Sequence, residues 1–274
     1  MVIIQVYNEE DVTCVKFEVN RSDGKGKPVY LFLVDGMLID TGPSNLEKEI
    51  ISFYKKNSFH LVALTHSHED HSGTASWIQE NQNVPIYVHS KGIKICKQRS
   101  PYPEYRQVTW GARKEFDPLP LGDSLSSLNY NWDVIYTPGH AEDHVSFINA
   151  EKGQLFSGDL FVALKTKVIM NTESIPDIMN SISRLLTYDF KSMFCSHAGY
   201  IKDGKTMLKR KLAHLEYLYG EVERLYHIGY TLSEINRNLF LKNFPIVKVS
   251  NGEWDSTHIV SSIITDIEGR VSNR

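Results

Sequence analysis

Apolar and polar positions alternate along the chain in short blocks, and most of the blocks read as strands. The segment Val12–Val19 alternates partly, and 29–34 is a denser apolar run. Between them, 21–28 reads as a turn or short loop. Asp35-Gly36 then leads into Met37-Leu38-Ile39-Asp40, the dipeptide expected of a tight hairpin. Leu61-Val62-Ala63-Leu64 and the runs at 85–88, 133–136, 145–148, 154–157 and 193–195 are strand-like as well. Helical spacing falls between these runs. Leu46, Ile50, Phe53 and Tyr54 predict a helix near 45–56, a second follows at 74–80, and Ile175, Ile178, Met179, Ile182 and Leu186 predict a third over 174–186. From Asp203 onward the pattern is helical. Leu208, Leu212, Leu215, Tyr219, Val222 and Tyr226 keep a three-to-four spacing that Gly229 ends. Thr231-Leu232-Ser233-Glu234 is a capping box opening a short helix through Phe240, and a last helix follows Trp254-Asp255-Ser256. The switch places a boundary near 204, with a first domain over 1–203 and a helical subdomain over 204–274.

The run at 61–64 feeds Thr65-His66-Ser67-His68-Glu69-Asp70-His71-Ser72-Gly73, three histidines and an aspartate within six positions. His66 and His68 are two apart, so they do not share a helical face; an extended segment or tight loop would let them converge. Imidazole and carboxylate together suit zinc, and also iron or manganese. A polar loop that is merely rich in histidine is the plainer reading, and the signals downstream weigh against it. Thr137-Pro138-Gly139-His140, Ser157-Gly158-Asp159 and Ser196-His197-Ala198-Gly199 each stand where a strand ends. Each is weak alone; in this order, after the loop at 66–71, they form a strong set.

The ordered set resembles the metallo-β-lactamase superfamily, in the hydrolase branch typified by glyoxalase II, lactonases, related phosphodiesterases and small endoribonuclease-like proteins. The resemblance covers roughly residues 2 to 204 and includes the Asp40-Thr41-Gly42 turn. It implies an α/β fold, a four-layer αββα sandwich of two mixed sheets with helices outside, followed by a small helical, winged-helix-like tail. Carried over by position, it implies that His66, His68 and His140 hold one divalent metal ion. Asp70, His71 and His197 would hold a second, and Asp159 would bridge the two. Asp70 would also orient the attacking hydroxide and accept its proton, while Asp40 would stand behind the ligands. His140-Ala141-Glu142-Asp143-His144 resembles members with an Asp-His pair after the third metal histidine. Asp143 and His144 are then braces, or else His144 or Tyr200 protonates a leaving group. Flavodiiron relatives carry a glutamate where His68 stands, so His68 favours hydrolysis. True metallo-β-lactamases lack the bridging aspartate, so Asp159 argues against antibiotic hydrolysis.

Composition narrows the reading only a little. The chain of 274 residues is 41% hydrophobic and 23% charged, ordinary for a soluble globular protein. A net charge of −3 gives no global field that would draw nucleic acid. The opening residues lack a basic leader, and no run approaches the ~20 apolar residues of a membrane span, so a cytoplasmic location without membrane contact is expected. Cys14, Cys96 and Cys195 are too dispersed for a disulfide framework. One stretch departs from the rest. Lys91, Lys94, Lys97, Arg99, Arg106, Arg113 and Lys114 share 91–114 with Tyr102, Tyr105, Trp110 and a single acid, Glu104. It reads as a solvated helix and loop, or as a cationic rim receiving an anionic substrate. The expected function is a binuclear metal-dependent hydrolase acting on an ester, thioester or lactone of a small molecule. The alternative is a phosphodiesterase or endoribonuclease of the same fold, with nucleic acid as its partner.

Overall fold

The computed structural model describes residues 3–19, 27–99, 101–241 and 244–272. Of the turn expected at 21–28, residues 21–26 lie outside that range. Strands β1 (Ile3–Glu9), β2 (Val12–Val19), β3 (Lys27–Val34), β4 (Met37–Ile39), β5 (Leu61–Ala63), β6 (Ile86–Val88) and β7 (Leu119–Pro120) form a seven-stranded sheet in sequence order. It is antiparallel through β4 and parallel from β4 to β7. A second, six-stranded sheet is built from β8 (Ser124–Ser126), β9 (Asn131–Tyr136), β10 (Val145–Asn149) and β11 (Gln154–Gly158). After the two-residue β12 (Ile169–Met170), it is completed by β13 (Ser192–Cys195) and β14 (Gly199–Ile201), in the order β14-β13-β11-β10-β9-β8.

Period-two alternation gives each sheet two apolar faces. Cys14, Phe32, Met37, Ile39 and Ala63 meet Trp132, Val145, Phe147, Phe156 and Phe194 in the core between the sheets. Their immediate neighbours Val15, Leu31, Leu38 and Val62 point outward. There they pack on α1 (Glu47–Tyr54), α3 (Ala75–Asn81) and α4 (Ile93–Cys96), leaving α2 (Glu69–Ser72) inside the histidine-rich loop and α5 (Glu104–Trp110) beside it. On the other side, Ile135, Ile148, Leu155, Met193 and Cys195 pack on α6 (Ile175–Leu186), α7 (Gly204–His227), α8 (Leu232–Leu239) and α10 (Thr257–Ser272); α9 (Pro245–Val249) leads to β15 (Trp254–Asp255). The layers therefore run αββα, as expected, with a helical C-terminal region. Leu208, Leu215, Val222 and Ile263 share one core with Ile178 and Ile182, so these helices pack on α6 and the second sheet themselves.

Local signals explain several joints. Asp35 and Gly36 have φ of 47° and 74°, the left-handed pair that a two-residue hairpin of this twist requires. At Gly36 a Cβ would also stand 2.5 Å from His60 Nδ1. The Thr231 capping box forms, with Glu234 N–H donating to Thr231 Oγ1 and Thr231 N–H donating to Glu234 Oε2. Cys14, Cys96 and Cys195 are free and buried. Not foreseen were the two-residue strands β12 and β15, which pair antiparallel from distant parts of the chain.

The inner core concentrates aromatic rings: Phe156 stacks on Phe194 at 4.8 Å between centroids and meets Phe32 edge-on at 5.5 Å. Replacing Phe156 by alanine removes a fully buried ring from the meeting of both sheets and is expected to cost about 3–5 kcal/mol. Urea denaturation of the two proteins measures the difference.

Candidate metal centre

Chain direction gathers the polar strand ends on one edge. Strands β4 and β5 run parallel, so Asp40 and Thr65 leave the first sheet side by side. In the second sheet β11 and β13 are parallel, and β9 runs the same way because β10 is antiparallel to both β9 and β11. Their ends release Thr137, Asp159 and Ser196 beside the first group. Backbone bonds join the two edges: Val145 N–H donates to Thr65 O at 2.8 Å and Tyr30 N–H to Ser196 O at 2.8 Å.

The side chains sort into two neighbouring groups. His66 Nε2 and His140 Nε2 lie 2.9 and 3.1 Å from His68 Nδ1. The candidate ligand atoms of this trio lie within 4.8 Å of one another, as do those of Asp70, His71 and His197. Asp159 stands between the groups, its Oδ2 lying 3.0 Å from His197 Nε2, 3.6 Å from His71 Nε2 and 3.5 Å from His140 Nε2. Asp70 Oδ2 is 3.3 Å from His197 Nε2. All seven residues nominated from the sequence are therefore brought together.

For His66, His71, His140 and His197 the ring nitrogen facing away from this centre is held by the protein, which fixes the direction of the imidazole. His66 Nδ1 meets Thr65 Oγ1 at 3.1 Å, and His71 Nδ1 meets Asp40 Oδ2 at 2.8 Å. His140 Nδ1 meets Glu173 Oε2 at 3.1 Å, and His197 Nδ1 meets Pro28 O at 2.7 Å. Glu173 Oε1 in turn accepts from Met170 N–H at 2.9 Å. Asp143 Oδ2 accepts from Ser67 N–H at 2.9 Å, fixing the loop between His66 and His68.

His144 is wholly buried behind the centre. Its Nε2 accepts the N–H of Asp159 at 3.0 Å, so that nitrogen carries no proton, and its Nδ1 meets Thr137 Oγ1 at 2.9 Å. Burial, with His140 beside it, pushes its pKa down to about 3, which keeps the ring neutral. Tyr200, the other residue considered as an acid, sends its hydroxyl to Glu10 Oε1 at 2.9 Å.

Charge in the centre is unbalanced in an informative way. Burial, then the surrounding imidazoles, hold His66 well below the usual histidine range. Burial also works on His71 and His197, but carboxylates overcome it. Asp70 and Asp159 hold His71 well above its ordinary value, and Asp159 and Asp70 raise His197 to about 9. Asp159 is itself held well below the carboxylate range, against burial, by His197 and His71. His71 Nε2 and Asp159 Oδ1 are buried with no hydrogen-bond partner among the described residues. Buried polar atoms of this kind are costly. A divalent cation supplies the positive charge the carboxylates demand and accepts both donor types, so the residues present fit a metal.

Sequence reasoning missed Glu173, Thr65 and Ser196. Glu173 stands 33 residues after His140, just before the Ser174 cap of α6, with no spacing that marks it. The cationic stretch also changes character. Lys91 pairs with Glu142 at 3.0 Å and Lys97 with Asp117 at 2.8 Å, Arg106 binds Glu69, and Arg113 donates to the carbonyls of Ile95 and Gln98.

Comparison with known proteins agrees with this geometry. The family model of the metallo-beta-lactamase superfamily matches residues 26–197. Probable metallo-hydrolase YybB of Bacillus subtilis (strain 168) is 31% identical over 144 residues, spanning 50% of this chain and 64% of the relative. A hydroxyacylglutathione hydrolase of Hydrogenovibrio crunogenus is 28% identical over 165 residues, spanning 58% of this chain and 52% of the relative. The chain thus matches little more than half the length of these relatives. A metallo-beta-lactamase family protein of Thermus thermophilus superimposes with a TM-score of 0.69 at 20% identity, over 94% of both chains, and shares the fold.

Gly158 tests how tightly the bracing is built. Its φ is +50°, and a Cβ there would stand 2.5 Å from His144 Nε2 and 3.0 Å from Thr65 Cβ. Gly158→Ala would drive His144 off the Asp159 N–H, and a loss of about 1–3 kcal/mol is expected in chemical denaturation.

Proposed function

The chain belongs to the metallo-beta-lactamase superfamily, and from that premise we propose that it is a metal-dependent hydrolase with a centre for two divalent ions. The observation that carries this reading is the place of Asp159, whose Oδ2 faces His140 on one side and His71 and His197 on the other. His66, His68 and His140 would hold one ion, Asp70, His71 and His197 would hold the other, and Asp159 stands where it would serve both. Zinc suits this donor set, as do manganese and iron. When bound, the ions supply Lewis-acid polarisation of the scissile group and bring the pKa of a water molecule near neutrality.

The protein's own residues do the rest. Asp70 lies beside both His71 and His197, where its carboxylate orients the attacking water and takes its proton. His144 positions Asp159 through the backbone N–H, and with both nitrogens engaged we assign it no proton transfer to the leaving group. Asp40 and Glu173 anchor His71 and His140 from behind, and Asp143 holds the backbone of the loop.

For the substrate we favour an ester, thioester or lactone of a small molecule. The Hydrogenovibrio relative is named for hydrolysis of hydroxyacylglutathione, which supports a carbonyl substrate. Pairing of Lys91, Lys97 and Arg106 within the protein leaves less open positive charge for a phosphodiester backbone than the sequence implies. No described helix is long and apolar enough to cross a membrane; a cytoplasmic location, without membrane contact, is part of the proposal.

Glu173→Gln keeps the shape but weakens the anchor of His140, and a fall of about 10–100-fold in metal affinity or turnover is expected from chelator competition and steady-state kinetics. The substrate class is tested by incubating zinc- or manganese-loaded protein with a thioester and lactone panel beside a model phosphodiester, with Asp159→Asn as control. Turnover of the carbonyl esters that is lost in Asp159→Asn is the expected result. Turnover confined to the phosphodiester would transfer the reading to the nuclease class.

A further inference from the structure

Two segments far apart in sequence meet beside the metal loop. Arg106 of α5 is only 8% exposed, and its guanidinium forks onto Glu69: Nε donates to Oε1 at 2.5 Å and Nη2 to Oε2 at 2.8 Å. Its third nitrogen, Nη1, donates to Glu253 Oε1 at 3.3 Å. Glu253 uses its other oxygen to accept the Tyr105 hydroxyl at 2.6 Å. It also fixes its own backbone, since its carbonyl accepts Asn171 N–H at 2.9 Å, just past β12. Tyr102, with the Arg106 guanidinium 4.9 Å over its ring, donates its hydroxyl to Ser67 O at 2.5 Å.

Glu69 is fully buried and opens α2, so the next two residues are Asp70 and His71. A helix of four residues does not hold itself. Its rotation, and with it the direction of Asp70 and His71, depends on what grips it from outside. A bidentate guanidinium grips a carboxylate with a fixed plane and a fixed distance. It also neutralises the charge of Glu69, which would otherwise sit unpaired beside Asp70.

We propose that Arg106 and Glu253 are positioning residues for the Asp70–His71–His197 group, so that the turn before β15 in the C-terminal region is a working part of the metal centre. The inference rests on the two-ion reading above. The His66–His68–His140 group has supports outside the grip: Thr65 Oγ1 on His66 Nδ1, Asp143 on the Ser67 N–H and Glu173 on His140.

Cobalt binding separates the possibilities. Wild-type protein, Arg106→Met and Glu253→Gln are titrated with cobalt(II) under chelator competition, following the visible absorption bands, with thermal unfolding recorded in parallel. Wild-type protein is expected to take two ions. Both variants are expected to keep the affinity and spectrum of one ion and to bind the other about 10–100-fold more weakly, Arg106→Met more so than Glu253→Gln. Unchanged affinity for both ions in folded variants overturns the inference, and so does an equal loss at both sites that tracks thermal stability. Should Arg106→Met fail to fold, Glu253→Gln decides alone, because it keeps the Arg106–Glu69 pair that the fold needs while removing the carboxylate that sets Arg106 Nη1 and the Tyr105 hydroxyl. A wild-type protein that takes fewer than two ions overturns the two-ion centre itself and this inference with it.

Discussion

A carboxylate with no exposed surface has to be matched on every side, and here that carboxylate is Asp40. It sits at the end of β4 with φ of 59°, a left-handed conformation that aspartate tolerates better than most residues. Its Oδ1 accepts from Thr65 N–H at 2.8 Å and Thr65 Oγ1 at 3.0 Å, while Oδ2 faces His71 Nδ1 at 2.8 Å and Ser196 Oγ at 3.2 Å. One side chain thus ties the loop after β5 to the loop after β13, which belong to different sheets. Removing a partner from a buried charged set of this kind costs about 3–5 kcal/mol. The two sheet edges therefore stay in register, and the candidate ligand atoms on both edges stay within reach of one another.

What the sequence showed of this arrangement follows from range. The loop at 65–73 is contiguous, so its chemistry is legible in a single glance along the chain. Thr137–His140, Asp159 and His197 are legible through their common place after an apolar run, because strand ends of one direction share an edge. Glu173 belongs to neither class. It reaches His140 from a loop whose only readable feature is the cap of the following helix. β12 and β15 are two residues each, too short for any period, and they pair across the length of the C-terminal helices. Likewise, nothing near Glu69 in the sequence marks its buried partner Arg106, which stands 37 residues further on. Pairing at long range, with one side chain from each segment, leaves no local pattern to find.

The basic stretch shows the same limit from the side of charge. Counted along the sequence, 91–114 is strongly cationic and invites an anionic partner. In space its charges are answered from elsewhere: Glu142 from the loop after His140, Asp117 from just beyond, Glu69 from the loop before it and Glu253 from the C-terminal region. The fate of each cation also depends on burial. Lys91 and Lys97 are exposed pairs that contribute little, whereas Arg106 is enclosed and is satisfied by the carboxylates of Glu69 and Glu253. A cluster of cations in a sequence is thus evidence of a binding surface only for those members that remain in water.

The turn that follows Asp159 extends the argument to stability. Val162 has φ of 50°, a conformation that a β-branched side chain enters only under constraint. The constraint is Lys211 of α7, whose buried ammonium donates to Ala163 O at 2.8 Å and Thr166 Oγ1 at 2.7 Å. Burial pushes that lysine down to about 8, against the pull of Glu173, the same carboxylate that anchors His140. A helix packed on β13 and α6 through Leu208 and Leu215 therefore also holds a strained turn three residues past Asp159, which stands between the two groups of candidate ligands. Strain of this order, about 1–3 kcal/mol, persists only where the surroundings over-determine it. Helix α7 provides part of those surroundings through Lys211, so the packing that stabilises the sheet also braces the turn that follows Asp159.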